Sequence, residues 1–321
     1  MNYLHALLMA LALTIGTPPG HAQPYPARPI RIIVPNAPSG VADFSARLIA
    51  AKLGEALGQQ VIVDNRVGAG GTLGTALAVK SAPDGYTLLV VFDSHATNPS
   101  LFKHLEYDTV NDFAAVSLLV RGPMLLVVHP NLAAVRTVRD FERLARSRPG
   151  ALNFATVGPG SPARLMMELL KLAARIDVTM VPYKGAALAL TDLMAGEVDA
   201  MFAAISSAGA YAKAGRLRAL AVTSTRPTPL APGLPTLAET YPGLRTEVWS
   251  GMLAPARTPP EIIARLNAEL VRILAQPELH TRLAEFGLEP VGGTPAQLDF
   301  WIRAEIERWG KVIRAQKITL E

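Results

Sequence analysis

The chain has 321 residues, 50% hydrophobic and 18% charged, long enough for two buried cores and too apolar for an extended disordered region. Its 31 Lys and Arg against 26 Asp and Glu leave +5, with no block of five basic residues, so nucleic acid is disfavoured and mild attraction of anionic solutes remains. The lack of cysteine excludes a disulfide framework, thiol catalysis, iron–sulfur ligation and a lipidated N-terminal cysteine.

Residues 6–15, ALLMALALTI, form an apolar run of the length a secretory signal needs. Gly20-His21-Ala22 then supplies small residues at the two positions a signal peptidase reads, which places cleavage after Ala22 and makes 1–22 a signal peptide. No Lys or Arg precedes the run, a departure from the usual pattern. A membrane anchor is the competing reading, but the run is too short to cross about 30 Å of hydrocarbon. No later segment is long and apolar enough to span, so a soluble periplasmic protein is expected.

From residue 23 short β-rich runs alternate with helical segments. Arg31–Val34 reads as a strand and 43–57 as a helix, with Ala46, Ile49, Ala50, Leu53 and Leu57 on one face and Gly58 at the C-terminal cap. A strand at 60–64, a glycine loop at 68–71, a helix from about 72 and a strand over Tyr86–Phe92 follow. After Arg121-Gly122-Pro123 a second series begins. It has strands at Met124–His129, Leu152–Thr156, Val178–Val181, Asp199–Phe202 and Leu217–Thr223, with helices at 137–147, from 162 to Ala174, and at 186–195. A Pro-rich connection at 227–242 leads to a returning strand, Val248–Ala254, and helices at 259–275, 277–286 and 295–316. Such alternation predicts an α/β protein of two lobes, each a mostly parallel sheet flanked by helices. One lobe is expected to comprise 23–121 and 250–321, the other 122–249, with crossings near 118–124 and 246–252. Ligands of open α/β sheets bind at the carboxyl ends of the strands, here an interlobe cleft.

Two strand-to-helix loops resemble each other, Val34-Pro-Asn-Ala-Pro-Ser-Gly-Val-Ala-Asp43 and Thr156-Val-Gly-Pro-Gly-Ser-Pro162. Helix N-termini carry unpaired N–H groups and partial positive charge, so an anion pinched between facing helix ends is the natural hypothesis. Ordinary caps and turns are the competing reading for either loop alone, and Ser161-Pro162 is a good N-cap and N1 pair. Asp43 either meets a ligand amine or hydroxyl or complements the helix dipole, the commoner role. The polar cluster Asp93-Ser-His-Ala-Thr-Asn98 ends a strand and reads either as a cleft wall or as a turn. Tyr183 is placed to cover a ligand and Lys184 to attract an anion, although a solvated lysine is the usual outcome.

Catalytic templates fit poorly. There is no G-x-S-x-G elbow, and the six histidines show no metal-ligand spacing. The glycine loop fails as a dinucleotide fingerprint, because Leu73 stands where the third glycine belongs, and no Gly-Lys-Ser/Thr follows. No catalytic residue, metal or cofactor is therefore assigned.

From about residue 25 to the end the chain resembles the periplasmic solute-binding proteins of tripartite tricarboxylate transporters, the Bug or TctC family. The resemblance rests on YPARPI at 25–30, DNRVGAGG at 64–71, APDGYTL at 82–88, NPSL at 98–101 and VPYKG at 181–185. It continues through LRALAVT at 217–223, LAP at 253–255, ARLNAEL at 264–270 and EPVG at 289–292. It implies a type II periplasmic binding fold, a small carboxylated solute in the cleft, and delivery to a two-component membrane permease by a monomer. By position, ligand contacts would come from Ser39, Gly40, Val41, Ala42 and Asp43; from Ser94, His95 and Thr97; from Thr156, Val157, Gly158 and Ser161; and from Tyr183 and Lys184. The family's first loop usually reads Pro-Phe-x-x-Gly-Gly-x-x-Asp, often with Thr before the Asp; here Asn36, Ser39 and Ala42 depart from it. Ala203-Ala204 stand where Asp-Asn is common, so a less polar or differently held solute is implied. A solute sensor signalling to a membrane partner is one alternative, and an exported α/β hydrolase using Ser161 or Ser94 is a weaker one.

Overall fold

The computed structural model describes residues 25–38, 40–158 and 160–319. The expected signal peptide at 1–22, and Ser39, lie outside the described residues.

The first half opens with β1 (Ile30–Val34), α1 (Val41–Leu57), β2 (Val61–Asn65), α2 (Thr72–Val79), β3 (Thr87–Phe92) and α3 (Asp93–Leu101). The long β4 (Phe113–Val128) leads to α4 (Val138–Ser147), β5 (Asn153–Val157), α5 (Pro162–Ala174), β6 (Thr179–Tyr183), α6 (Ala186–Ala195), β7 (Ala200–Ala204), α7 (Ile205–Lys213), β8 (Arg218–Val222) and the short α8 (Leu237–Thr240). The chain returns through β9 (Glu247–Pro255) to α9 (Pro260–Leu274), α10 (Pro277–Glu285), β10 (Glu289–Gly292) and α11 (Pro295–Ala315).

Continuous apolar runs make the central strands, because a parallel sheet is covered on both faces. Alternation then splits each run between two cores. Ile30, Ile32 and Val34 join Ala46, Ile49 and Leu53 of α1, whereas Ile33 packs with Trp249, Leu298 and Ile302 on the opposite face. Leu126 and Val128 likewise enter one core with Phe154 and Phe202, and Leu125 and Val127 enter another with Ala155 and Met201. All five apolar residues assigned to the inner face of α1 are buried.

The strand order is β2-β1-β3-β9-β4-β7-β5-β6, with β10 and β8 also paired to β4. β1 is parallel to β2 and β3, and β5 is parallel to β6 and β7. The first part of β4 pairs antiparallel with β9, down to Pro123 opposite Glu247, and from Met124 onward it pairs with β7 and β8. One strand therefore belongs to both sheets.

Register fixes where the loops go. Phe92, the last residue of β3, lies opposite Ser250, near the crossing end of β9. Ala204, the last residue of β7, lies opposite Met124, the first residue of β4 in the second sheet. The carboxyl ends of the parallel strands in both lobes thus point toward the same crossing at 122–124. This is the two-lobe α/β architecture expected from the alternation.

Several elements differ from the sequence expectation. The polar cluster 93–98 is helical rather than a turn, and β4 begins at Phe113 rather than Met124. α7 and β10 were not anticipated; α7 is built of small residues and β10 is only four residues long.

Candidate functional site

Helices α1, α2, α3, α6 and α7 begin at the carboxyl ends of the parallel strands, and none has a side-chain hydrogen bond capping its N-terminus. The other such helix, α5, is capped by Ser161; among helices that begin elsewhere, α4, α8 and α11 carry full capping boxes built on Thr137, Thr236 and Thr294, while α9 and α10 have no side-chain cap. The first N–H groups of a helix need partners. Here five sets of them face the interlobe crossing without an internal cap, and each end carries partial positive charge.

The first-lobe loop is braced by a polar network. Asp43 is only 3% exposed and accepts from Arg47 Nε at 3.0 and 3.1 Å and from Asn65 Nδ2 at 2.9 Å. The same Asn65 amide donates to the Asn36 carbonyl at 3.0 Å, and Arg47 donates to Asn65 Oδ1 at 2.8 Å. Asp43 thereby holds the 35–40 loop against the end of β2. Gly40 is the N-cap of α1, and Val41 and Ala42 form its first turn, with Ala42 fully buried.

The glycine loop packs tightly against this region. A Cβ on Gly74 would meet Arg66 O at 2.6 Å and Pro35 Cβ at 2.8 Å, so only glycine lets α2 lie this close to the exit of β1. Asn98 Nδ2 donates to Gly70 O at 3.0 Å and ties the loop to α3. These glycines shape the floor of the site.

On α3, Ser94 and Thr97 lie on the side of the loops. Ser94 Oγ is 3.5 Å from where a Cβ on Gly71 would stand. Thr97 is 1% exposed, and its Oγ1 would lie 3.0 Å from a Cβ on Gly160 of the second lobe. Leu101 Cδ1 would be closer still, at 2.3 Å. The two lobes touch here. A second contact joins Gly287 of the first lobe to Ile205 and Ser206 at the start of α7.

His95 is not brought to this junction. It is buried, its Nε2 is 3.0 Å from the Thr109 carbonyl, and its ring meets Phe113 edge-on. Burial lowers its pKa to about 4, only partly opposed by the bond to that carbonyl.

In the second lobe Thr156 is buried opposite Pro182, and Val157 lies opposite Tyr183. Gly158 accepts from Ser161 Oγ at 3.1 Å, and the same oxygen accepts from Arg164 N at 3.3 Å, so Ser161 caps α5. Tyr183 turns its hydroxyl to Asp192 of α6 at 2.7 Å; burial first, then that bond, pushes the phenol up to about 12. Lys184 is exposed. Of the residues carried over by position, the structure therefore brings Thr97 of the first lobe to Gly160 of the second. Asp43 and Tyr183 are engaged within their own lobes. Asn65 and Leu101 are not among the candidates read from the sequence, although they lie within the quoted 64–71 and 98–101 motifs, whereas Gly160 lies within the 156–162 loop.

No helix among the described residues is long and apolar enough to cross a membrane. Among those residues no group of three His, Cys, Asp or Glu is placed to hold a metal ion.

A family profile described as the tripartite tricarboxylate transporter family receptor matches residues 45–318. Protein BugT of Bordetella pertussis is 38% identical over 318 residues, covering 98% of this chain and 97% of that protein. The solved structure of R. palustris Rpa4515 with adipate is 37% identical with a TM-score of 0.83, covering 92% of this chain and 99% of the other. MatC from Rhodopseudomonas palustris with bound malate is 34% identical with a TM-score of 0.78, covering 90% and 100%. The chain belongs to the TctC family of transporter receptors, which are solute-binding proteins.

Proposed function

We propose that this protein captures a small carboxylate-bearing solute between its lobes, outside the cytoplasm, and delivers it to a two-component membrane permease without transforming it. The observation that supports this most is the set of five helix N-termini, uncapped by side chains, at the interlobe crossing. Oxyanions suit such ends, because backbone N–H groups and helix dipoles act together. Adipate and malate in the related structures are acids of the same class.

In this reading 1–22 is removed on export, 23–121 with 250–321 form one lobe, and 122–249 form the other. Gly40, Val41 and Ala42 present backbone to one end of the ligand, and Thr156, Val157 and Gly158 present it to the other. Ser94 and Thr97 add hydroxyls. Asp43, already bound to Arg47 and Asn65, shapes its loop, and Tyr183 and Lys184 form the outer wall. His95 holds α3 in place through Thr109. Ala203 and Ala204 at the end of β7 offer no side-chain oxygen, which favours a solute with an apolar stretch between its charged groups.

The test is a thermal-shift panel of mono-, di- and tricarboxylates on protein unfolded and refolded to strip any bound solute. A ligand at 100 times its Kd raises stability by about 2.7 kcal/mol. Shifts from carboxylates alone support the reading. Shifts from neutral sugars or peptides with none from acids refute it, and turnover of a bound acid would replace it with an enzyme.

A further inference from the structure

A second cavity, of about 210 Å³, lies beside the crossing strands and under α11. Its walls come from β4, the start of β9 and α11, and none of the strand-to-helix loop residues described above lines it.

Three arginines, Arg121, Arg245 and Arg308, meet there with two carboxylates, Glu247 and Glu305. Much of that charge is already committed. Arg308 donates to Glu305 at 3.4 Å and to the Arg245 carbonyl, and Glu305 accepts from Trp309 Nε1 at 2.7 Å. Arg121 is held loosely, with its guanidinium 3.8 Å from Glu247. One positive charge remains in excess.

The polar atoms without partners are donors. Thr246 is 2% exposed; its N–H donates to Thr223 O at 3.0 Å and its carbonyl accepts from Thr223 Oγ1 at 2.6 Å, yet its own Oγ1 has no hydrogen-bond partner. Arg121 Nε and Trp301 Nε1, on the same cavity wall, also have none. Buried donors left unpaired are costly, and three around one small cavity point to an acceptor-rich occupant.

We infer that this cavity at the hinge binds a small oxyanion of the carboxylate or phosphate class, at a site separate from the interlobe cleft. Arg121 supplies its contact from β4, Thr246 from the residue just before β9, and Trp301 its indole N–H from α11. A guanidinium with a free Nε offers the forked donor pair that an oxyanion takes. The cavity is too small for an extended dicarboxylate with a hydration shell but has room for an acetate or a phosphate.

The test is calorimetric titration of the full mature chain with acetate and, separately, with inorganic phosphate, followed by Trp fluorescence. Saturable binding of at least one is expected, and the two arms decide between a planar and a tetrahedral oxyanion. Thr246→Val, nearly isosteric, should weaken that binding about fivefold, and Arg121→Gln should weaken it by about tenfold or more. Gly160→Val, placed to obstruct the cleft, should leave it unchanged while weakening dicarboxylate binding. Absence of saturable binding overturns the inference. So does binding that survives both hinge substitutions, or binding that Gly160→Val abolishes. Failure of acetate and phosphate to bind here would leave the cleft reading standing, whereas an unchanged dicarboxylate affinity in Gly160→Val would count against that reading alone.

Discussion

Replacing Gly160 by alanine should weaken solute binding while leaving the unliganded protein intact. The added Cβ would stand 2.3 Å from Leu101 Cδ1 and 3.0 Å from Thr97 Oγ1, both on the other lobe. Leu101 is the end of a flexible side chain, but it packs in a buried cluster with Leu165, Trp309 and Ile313, so its escape is restricted. Overpacking of this kind costs about 1–3 kcal/mol. Gly160 is not in the left-handed region, so the backbone itself accepts alanine. Because the clash arises where the lobes touch, on the proposed capture of solute between them its cost falls on the liganded form and appears as a rise in Kd of roughly 5- to 150-fold. Calorimetric titration with adipate, or with whichever linear dicarboxylate binds best, reads the change, and thermal unfolding without ligand supplies the control. Adding Leu101→Ala should restore most of the affinity. An unchanged Kd, or a fall in unliganded stability as large as the loss of binding energy, refutes the reasoning.

Asp43→Asn should lower unfolding free energy by about 1–2 kcal/mol, since it removes the charge that Arg47 and Asn65 hold; denaturant unfolding reads it directly. His95 is lowered to about 4 in the folded protein from 6.5, so its contribution is fully present above pH 6.5 and is lost as pH falls toward 4. That amounts to about 3 kcal/mol across the interval, and His95→Gln should flatten that part of the stability profile; an unaltered slope would assign it to other groups. Ser161→Ala should cost about 1 kcal/mol of stability by uncapping α5, visible as a lower unfolding midpoint.

The parts of the fold written in periodicity were legible. β1, α1 and α9 carry apolar residues at spacings that only one kind of element can bury, and the structure buries them. α3 was not legible, because its residues are polar, Pro99 lies within it, and tertiary burial of Asp93, His95 and Thr97 holds it. The N-terminal part of β4 was obscured by Gly122-Pro123, which reads as a break but lies within a strand whose neighbour opposite Pro123 is Glu247. At the site, the helix-end argument found the loops from turn chemistry and a cap pair alone. It did not find which side chains were already engaged: Asp43 reads as a ligand group until Arg47 and Asn65 are seen around it, and Tyr183 until Asp192 is. Gly160 lies in the 156–162 loop that the sequence singled out, but its approach to Thr97 and Leu101, some sixty positions away, is not written in that loop.

The position of β9 between β3 and β4 bears on the order in which the two lobes assemble. Every strand of the second sheet lies within 124–222, so that half is complete long before the C-terminus emerges. The first sheet is not: β3 has no second neighbour until 247–255 arrives, and β4 awaits the same segment along its first eleven residues. Long loops closed late slow folding and leave strand edges exposed. Pulse-labelled hydrogen exchange should therefore find amides of β5 and β7 protected before those of β1 and β3. Until that segment is in place the first lobe carries an unpaired, apolar strand edge, which makes it the half more exposed to aggregation during folding.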